Sequence, residues 1–224
     1  MQDYFIIAFY KAKLGDGKWV DDGISLYTTA VNVIGLLCIG QFKLAWKAFK
    51  NRYSHVEVWW GDKDGRFYVG HGNEENVSVG YTVWEGDKQM RYPLWRGEMF
   101  TSTMRDEDDG TVIREAKEVL RYPRRWDIMT IPREAIQITR AKKWAKDQAD
   151  NNLGYNKKTI GNFFNPLRPT QKPKENEQNI CSVAVQGFCW MAGMFTKWRI
   201  WSPIKLWWKL TQLGYKTKPL IKDD

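Results

Sequence analysis

Histidine is scarce in this chain. His55 and His71 are all it has among 224 residues. Cysteine is nearly as scarce, with Cys38, Cys181 and Cys189. Such a set lacks the spacing of a metal site, so no metal and no cofactor is expected. It also excludes a disulfide framework, which argues for a reducing compartment. Cys181 and Cys189 would stand about two turns apart on one helix, on the order of 12 Å along its axis, too far to bridge. Long apolar runs are missing too. The longest, residues 28–39 (TTAVNVIGLLCI), is roughly a dozen residues, where a bilayer span takes ~20. Residues 1–7 (MQDYFII) carry no basic segment ahead of a long apolar one, so no signal peptide is expected. Acid is short as well: 26 Asp and Glu stand against 35 Lys and Arg, a net charge of +9. That balance favours an anionic contact, whether nucleic acid, anionic lipid or an acidic cell-wall polymer. No nucleic-acid motif accompanies it.

What the chain has in quantity is tryptophan, 13 residues within a 43% hydrophobic and 15% aromatic composition. Length and composition suit one globular domain with a real core. Residues 3–10 (DYFIIAFY) predict a strand, 15–17 a turn and 23–27 a second short strand. Over residues 29–50, Ala30, Ile34, Leu37, Cys38, Phe42, Ala45, Trp46 and Phe49 recur at three- and four-residue steps. That spacing predicts a helix with Lys43, Lys47 and Lys50 on its other side, split if anywhere at Gly35 or Gly40. Cys38 falls in the apolar set and is expected in the core. Residues 53–60 read as a strand, 61–65 as a turn and 66–71 as the return strand of a hairpin. A further strand is expected at 77–84, an acidic loop at 105–110 and a helix at 111–120. A strand at 126–131 is then stopped by Pro132, which opens a helix to about Asn151. Residues 165–178, with three prolines and many charges, read as an exposed loop. Residues 181–195 read as a helix buried almost all round. The sum is an α+β domain, an antiparallel meander sheet packed against helices.

The chemistry this chain could carry starts at residues 52–60 (RYSHVEVWW). His55 and Glu57 are two residues apart on a strand and so share a face. Cys181 opens a helix after a polar run ending at Asn179, a good N-cap. In a first helical turn the macrodipole and open N–H groups favour a thiolate and can hold an oxyanion. A free cysteine is as often an inert core residue, and for Cys189, between Phe188 and Trp190, that reading wins. His55 could take the thiol proton as general base. An orienter of its ring is then needed, and two residues are available. Glu57 would be the stronger charged partner, but a same-strand pair about 7 Å apart at the backbone is awkward for orienting a ring. His71, on the neighbouring strand, is preferred, against the plain reading of a turn residue between two glycines.

Five stretches carry a resemblance to a known group: residues 21–28 (DDGISLYT), 53–58 (YSHVEV), 126–128 (WDI), 154–156 (GYN) and 180–182 (ICS). In this order they are similar to the permuted papain-like thiol hydrolases. That is the circularly permuted NlpC-type branch, with the YiiX-like proteins and lecithin retinol acyltransferase relatives. The set covers about residues 20–190 and most resembles versions carried by tailed bacteriophages. The resemblance implies a circularly permuted papain-like fold with Cys181 as nucleophile and His55 as base. The third polar position falls on the strand after the histidine, where His71 fits best. It also implies an acyl-enzyme route on peptide, isopeptide or lipid-ester substrates, cell-wall peptides first, in a bacterial host cytoplasm or a virion. Two departures stand out: Val183 where an acidic residue is frequent, and a long apolar segment between Leu26 and Tyr53. They leave open a catalytically inactive scaffold that serves as a phage binding or virion-associated protein.

Residues 197–224 form a basic extension, expected to pack on a domain of residues 1–196. Its stretch 197–216 (KWRIWSPIKLWWKLTQLGYK) interleaves tryptophans with lysines. Ile204, Trp207, Trp208 and Leu210 can form one face of a short helix. Packing that face on the domain is the favoured reading. The sharper one is contact with a membrane surface or anionic polymer through Lys197 to Lys218.

Overall fold

A computed structural model of the chain describes residues 2–11, 29–30, 33–34, 37–38, 40–62, 65, 67, 80–85, 88–103, 109–151, 154–155, 180–195 and 201–221. It is an α+β structure. Strands β1 (Gln2–Lys11), β2 (Tyr53–Trp60), β5 (Glu98–Thr103), β6 (Gly110–Glu115), β7 (Trp126–Glu134) and β8 (Lys218–Pro219) form one antiparallel sheet. Their order is β6-β5-β2-β1-β7-β8. Strands β3 (Gly80–Glu85) and β4 (Lys88–Pro93) form a separate ribbon. The main sheet is therefore not a simple meander, because the chain leaves it after β2 and returns at β5. Helix α1 (Phe42–Asn51) precedes β2, and the short α2 (Ala116–Val119) follows β6. Then come α3 (Ala135–Asp150), α4 (Cys181–Met191) and α5 (Pro203–Gln212).

β1 is apolar at every position from Phe5 to Phe9 because both faces of the sheet are covered. Phe5, Ile7 and Phe9 join Val56, Val58 and Trp60 of β2 in the core beneath the helices. Ile138, Ala141 and Ala145 of α3 and Ala184, Val185 and Phe188 of α4 close that core. Ile6 and Ala8 face the other way, into a second cluster with Trp59, Trp95, Met99, Leu120 and Trp126. α4 is buried at every residue from Cys181 to Cys189. It lies so close to α3 that a Cβ at Gly187 would run into the Trp144 ring.

Some expectations change. Residues 110–115 are strand, not helix, and only Ala116–Val119 are helical. Thr111, Val112 and Ile113 are β-branched, and that preference wins over the spacing read from them. Pro132 does not stop β7, which pairs with β1 as far as Gln2↔Glu134, and α3 begins at Ala135. At Pro132 the strand has only β1 beside it among the described residues, so a missing N–H can face away from that partner. β2 lies between β1 and β5, and the return strand expected at 66–71 falls, apart from Phe67, outside the described residues. Phe67, the one described residue there, is a bend whose carbonyl accepts from Arg96 N. Gly40, at φ 73, ends the helical stretch before α1, and Cys38 is exposed, not core. The turn at 15–17, the strand at 23–27, the loop at 165–178, Asn179 and most of the acidic loop lie outside the described residues.

The tail's apolar face is packed inside. Ser202 caps α5, accepting from Lys205 N, with Pro203 in the first turn. Ile204, Leu206, Trp207 and Leu210 enter the main core, and β8 pairs with β7 at Asp127 and Ile128.

Gly187→Ala is expected to lower stability by about 1–2 kcal/mol, overpacking against Trp144 outweighing the better helix propensity of alanine. In a Trp144→Leu background the same change should become neutral or stabilising. Chemical denaturation of the four proteins reads the sign.

Candidate active site

β2 delivers His55 and Glu57. The register of β1 against β2 slips between Tyr10↔His55 and Lys11↔Tyr53, which leaves Ser54 as an extra residue just before the histidine. A bulge of this kind re-aims the neighbouring side chain. The His55 ring is 26% exposed and Glu57 1%. Nε2 of His55 lies 3.0 Å from Glu57 Oε1 and 3.4 Å from Thr101 Oγ1. The Thr101 hydroxyl itself donates to the Val56 carbonyl at 2.9 Å, which fixes its position. The awkward reach expected of a same-strand pair is therefore overcome. Side chains two apart on a bulged strand meet where their backbones do not. His71 lies outside the described residues.

Glu57 is a carboxylate taken out of water, and it is paired. Arg114 of β6 donates from Nη2 to the same Oε1 at 2.8 Å, its own side chain 11% exposed. The other oxygen, Oε2, is buried without a partner among the described residues. A carboxylate held by a guanidinium accepts, so Nε2 of His55 donates to it. That leaves Nδ1 as the ring nitrogen free to face a sulfur.

The sulfur is that of Cys181. Ile180 occupies the N-cap of α4 with extended backbone and no side-chain cap bond, so Cys181 takes the first helical position. The N–H groups of Val183 and Ala184 both reach the Ile180 carbonyl, at 3.0 and 2.9 Å. Those of Cys181 and Ser182 have no partner among the described residues and stand open at the positive end of the helix. The Cys181 side chain is near enough to the His55 ring to act on its protonation. Burial alone would push that ring down. Cys181, through charge and hydrogen bond, and then Glu57, in the same two ways, outweigh it, and the ring is pushed up to about 9. Cys181 and Glu57 thus both favour the charged form of the ring, against the burial that opposes it. Cys189, two turns on and fully buried, has none of this, and burial pushes its thiol far up. All three cysteines are free.

The sequence reading missed two residues. Arg114 was assigned to a helix, which could not have placed it beside Glu57; its signal was the β-branched run before it. Thr101 had no signal, because only the pairing of β5 with β2 brings it to the ring. Trp126 stands edge-on to the His55 ring, centroids 6.5 Å apart. Among the described residues no three His, Cys, Asp or Glu side chains converge as metal ligands. A cleft of about 410 Å³ opens elsewhere, between β6 and α3, lined by Glu98, Thr111, Ile113, Lys146 and Asp150. Comparison with protein-family models, with curated proteins and with solved structures found no match.

The pH behaviour of His55 follows from its partners. Its value in the fold lies above the ~6.5 of a free histidine, so its contacts stabilise the fold fully below that pH and are lost as pH rises through 9. An NMR titration of the two imidazoles should show one midpoint near 9. In Cys181→Ala that midpoint should fall, because burial then faces Glu57 alone. Breaking the other end is expected to be costly. Arg114→Met leaves Glu57 buried with one partner and should destabilise the protein by about 3 kcal/mol. Adding Glu57→Gln should recover part of that loss in denaturant unfolding.

Proposed function

We propose that this chain is a thiol-dependent hydrolase of circularly permuted papain-like fold, of the NlpC-type and YiiX-like kind carried by tailed phages. The observation that carries the reading is the His55 ring held between Cys181 and Glu57. Cys181 is the nucleophile and His55 the base. Glu57 is the positioning residue for the ring, with Arg114 holding Glu57 in turn. The thiolate adds to an amide or ester carbonyl, and the open N–H groups of Cys181 and Ser182 receive the developing oxyanion. The imidazolium returns its proton to the leaving amine or alcohol as the acyl–sulfur bond forms. Water, deprotonated by the neutral His55, then releases the acid and the thiol. Peptide or isopeptide bonds, cell-wall peptides among them, are the first substrate class and lipid esters the second.

One observation favours a second reading, that of an inactive scaffold used for binding in a phage particle or its host. The Cys181 side chain is buried, with the residue 4% exposed. A nucleophile must be reached, and a buried thiol is not.

The two readings part on one experiment. Wild-type protein is incubated with a panel of amide and ester substrates, including peptidoglycan peptides and phospholipid esters, and turnover is compared with that of Cys181→Ala. The hydrolase reading expects loss of activity by a factor of at least about a thousand in the variant. It also expects an acyl adduct on Cys181 by intact mass. Equal rates in both proteins, with no alkylation of Cys181 by iodoacetamide at neutral pH, sink it in favour of the scaffold.

A further inference from the structure

Among the described residues, five of the nine exposed large apolar side chains lie between residues 34 and 49, the others standing singly at Tyr4, Tyr122, Ile136 and Leu213. Ile34, Leu37, Phe42, Trp46 and Phe49 all face water, the last three at 68, 67 and 50% exposure. Those three are the first, fifth and eighth residues of α1, steps of four and then three, so they form a single row. Lys43, Lys47 and Lys50 follow each of them closely in sequence and are also exposed. They form a second row roughly 100° round the helix. The side of α1 turned to the protein carries Ala45 and Ala48, both buried. Arg52, just past the helix, lays its guanidinium over the Phe49 ring at 5.6 Å. From residue 29 to residue 52 there is no Asp or Glu.

We propose that α1 is a membrane-docking helix that lies in the surface of an anionic bilayer. Phe42, Trp46 and Phe49 enter the boundary between headgroups and acyl chains, and Lys43, Lys47, Lys50 and Arg52 meet the lipid phosphates. An aromatic row beside a cationic row is the pattern of an interfacial helix. A soluble surface seldom leaves a tryptophan and two phenylalanines in one line without use. At 10 residues α1 is about 15 Å long, so it lies on the bilayer and does not cross it. Charge selects the occupant. A second copy docking face to face by a two-fold axis would bring two lysine rows into one interface, whereas a phosphate surface neutralises them. This places surface contact on α1 and not on the tail, whose Ile204, Leu206, Trp207 and Leu210 are inside the core.

The proposal does not depend on the cysteine chemistry, and Cys181→Ala should bind as the wild type does. The test is flotation of the full chain with vesicles of phosphatidylcholine, with and without phosphatidylglycerol. Wild-type protein should float with the anionic vesicles and only weakly with the neutral ones. Replacing Phe42, Trp46 and Phe49 together by Gln should cut partitioning by about a hundredfold. The side chains are exposed, so the fold should survive, as unfolding curves would verify. Lys43, Lys47 and Lys50 replaced by Gln should cost about fivefold each and abolish the preference for anionic lipid. Equal flotation with both vesicle types, or a triple aromatic variant that floats like the wild type, overturns the proposal. So does a dimer in light scattering that the aromatic variant makes monomeric while wild type ignores vesicles, since the face would then belong to a second copy.

Discussion

Glu57 is an ionisable group removed from water inside a sheet, and the arrangement of the candidate site follows from what that costs. A carboxylate in such a place has to be paired and hydrogen-bonded or it will not stay charged. Its two partners come from opposite directions. Arg114 arrives from β6, across the intervening β5, and His55 comes from its own strand. The strand order β6-β5-β2 is therefore an electrostatic requirement as much as a packing one. A chain that ran from β2 straight into a hairpin would have put the wrong strand beside Glu57.

The same carboxylate sets the direction of the histidine. It takes up Nε2, which leaves Nδ1 as the other ring nitrogen, and the bulge at Ser54 stands just before the ring it re-aims. Helix position does the rest. Cys181 and Cys189 sit on one helix and are both buried, yet they live in different electrostatic surroundings. One stands at the open helix terminus beside the His55 ring, and at the other burial outweighs the one opposing charge, that of Arg133. Burial of the thiol therefore does not by itself decide between chemistry and packing. What decides is whether a charge partner is buried with it.

The parts of the fold that were legible in the sequence are those in which one short segment settles its own fate. β1, β2, α3, α4 and α5 are of this kind, because each carries an apolar pattern that only one element satisfies. β6 was not, since Thr111, Val112 and Ile113 fit a strand and a helix start equally until β5 is set beside them. The contact between Glu57 and His55 was hidden for a related reason. Backbone spacing overstates the gap between side chains on a bulged strand, and the Arg114 that anchors Glu57 is 57 residues away. Spacing likewise placed Phe42, Trp46 and Phe49 in the same periodic set as Ala45. It cannot tell which part of an apolar arc meets the protein, because an arc wide enough to reach both core and solvent has a single period.

That wide arc bears on how α1 and β2 are joined. Arg52 is the only residue between them, and it is in the left-handed region at φ 44, which a residue with a Cβ adopts at a cost of roughly 1–2 kcal/mol. Its N–H closes the helix onto the Ala48 carbonyl at 3.1 Å, and its guanidinium packs on Phe49. Asn51 meanwhile donates to the Tyr53 hydroxyl, and Tyr53 donates to Asp127 of β7. The link between the exposed aromatic helix and the strand of His55 is thus short and tied at both sides. A force or a surface acting on α1 would be felt within three residues of the imidazole. A flexible linker would have kept the two apart.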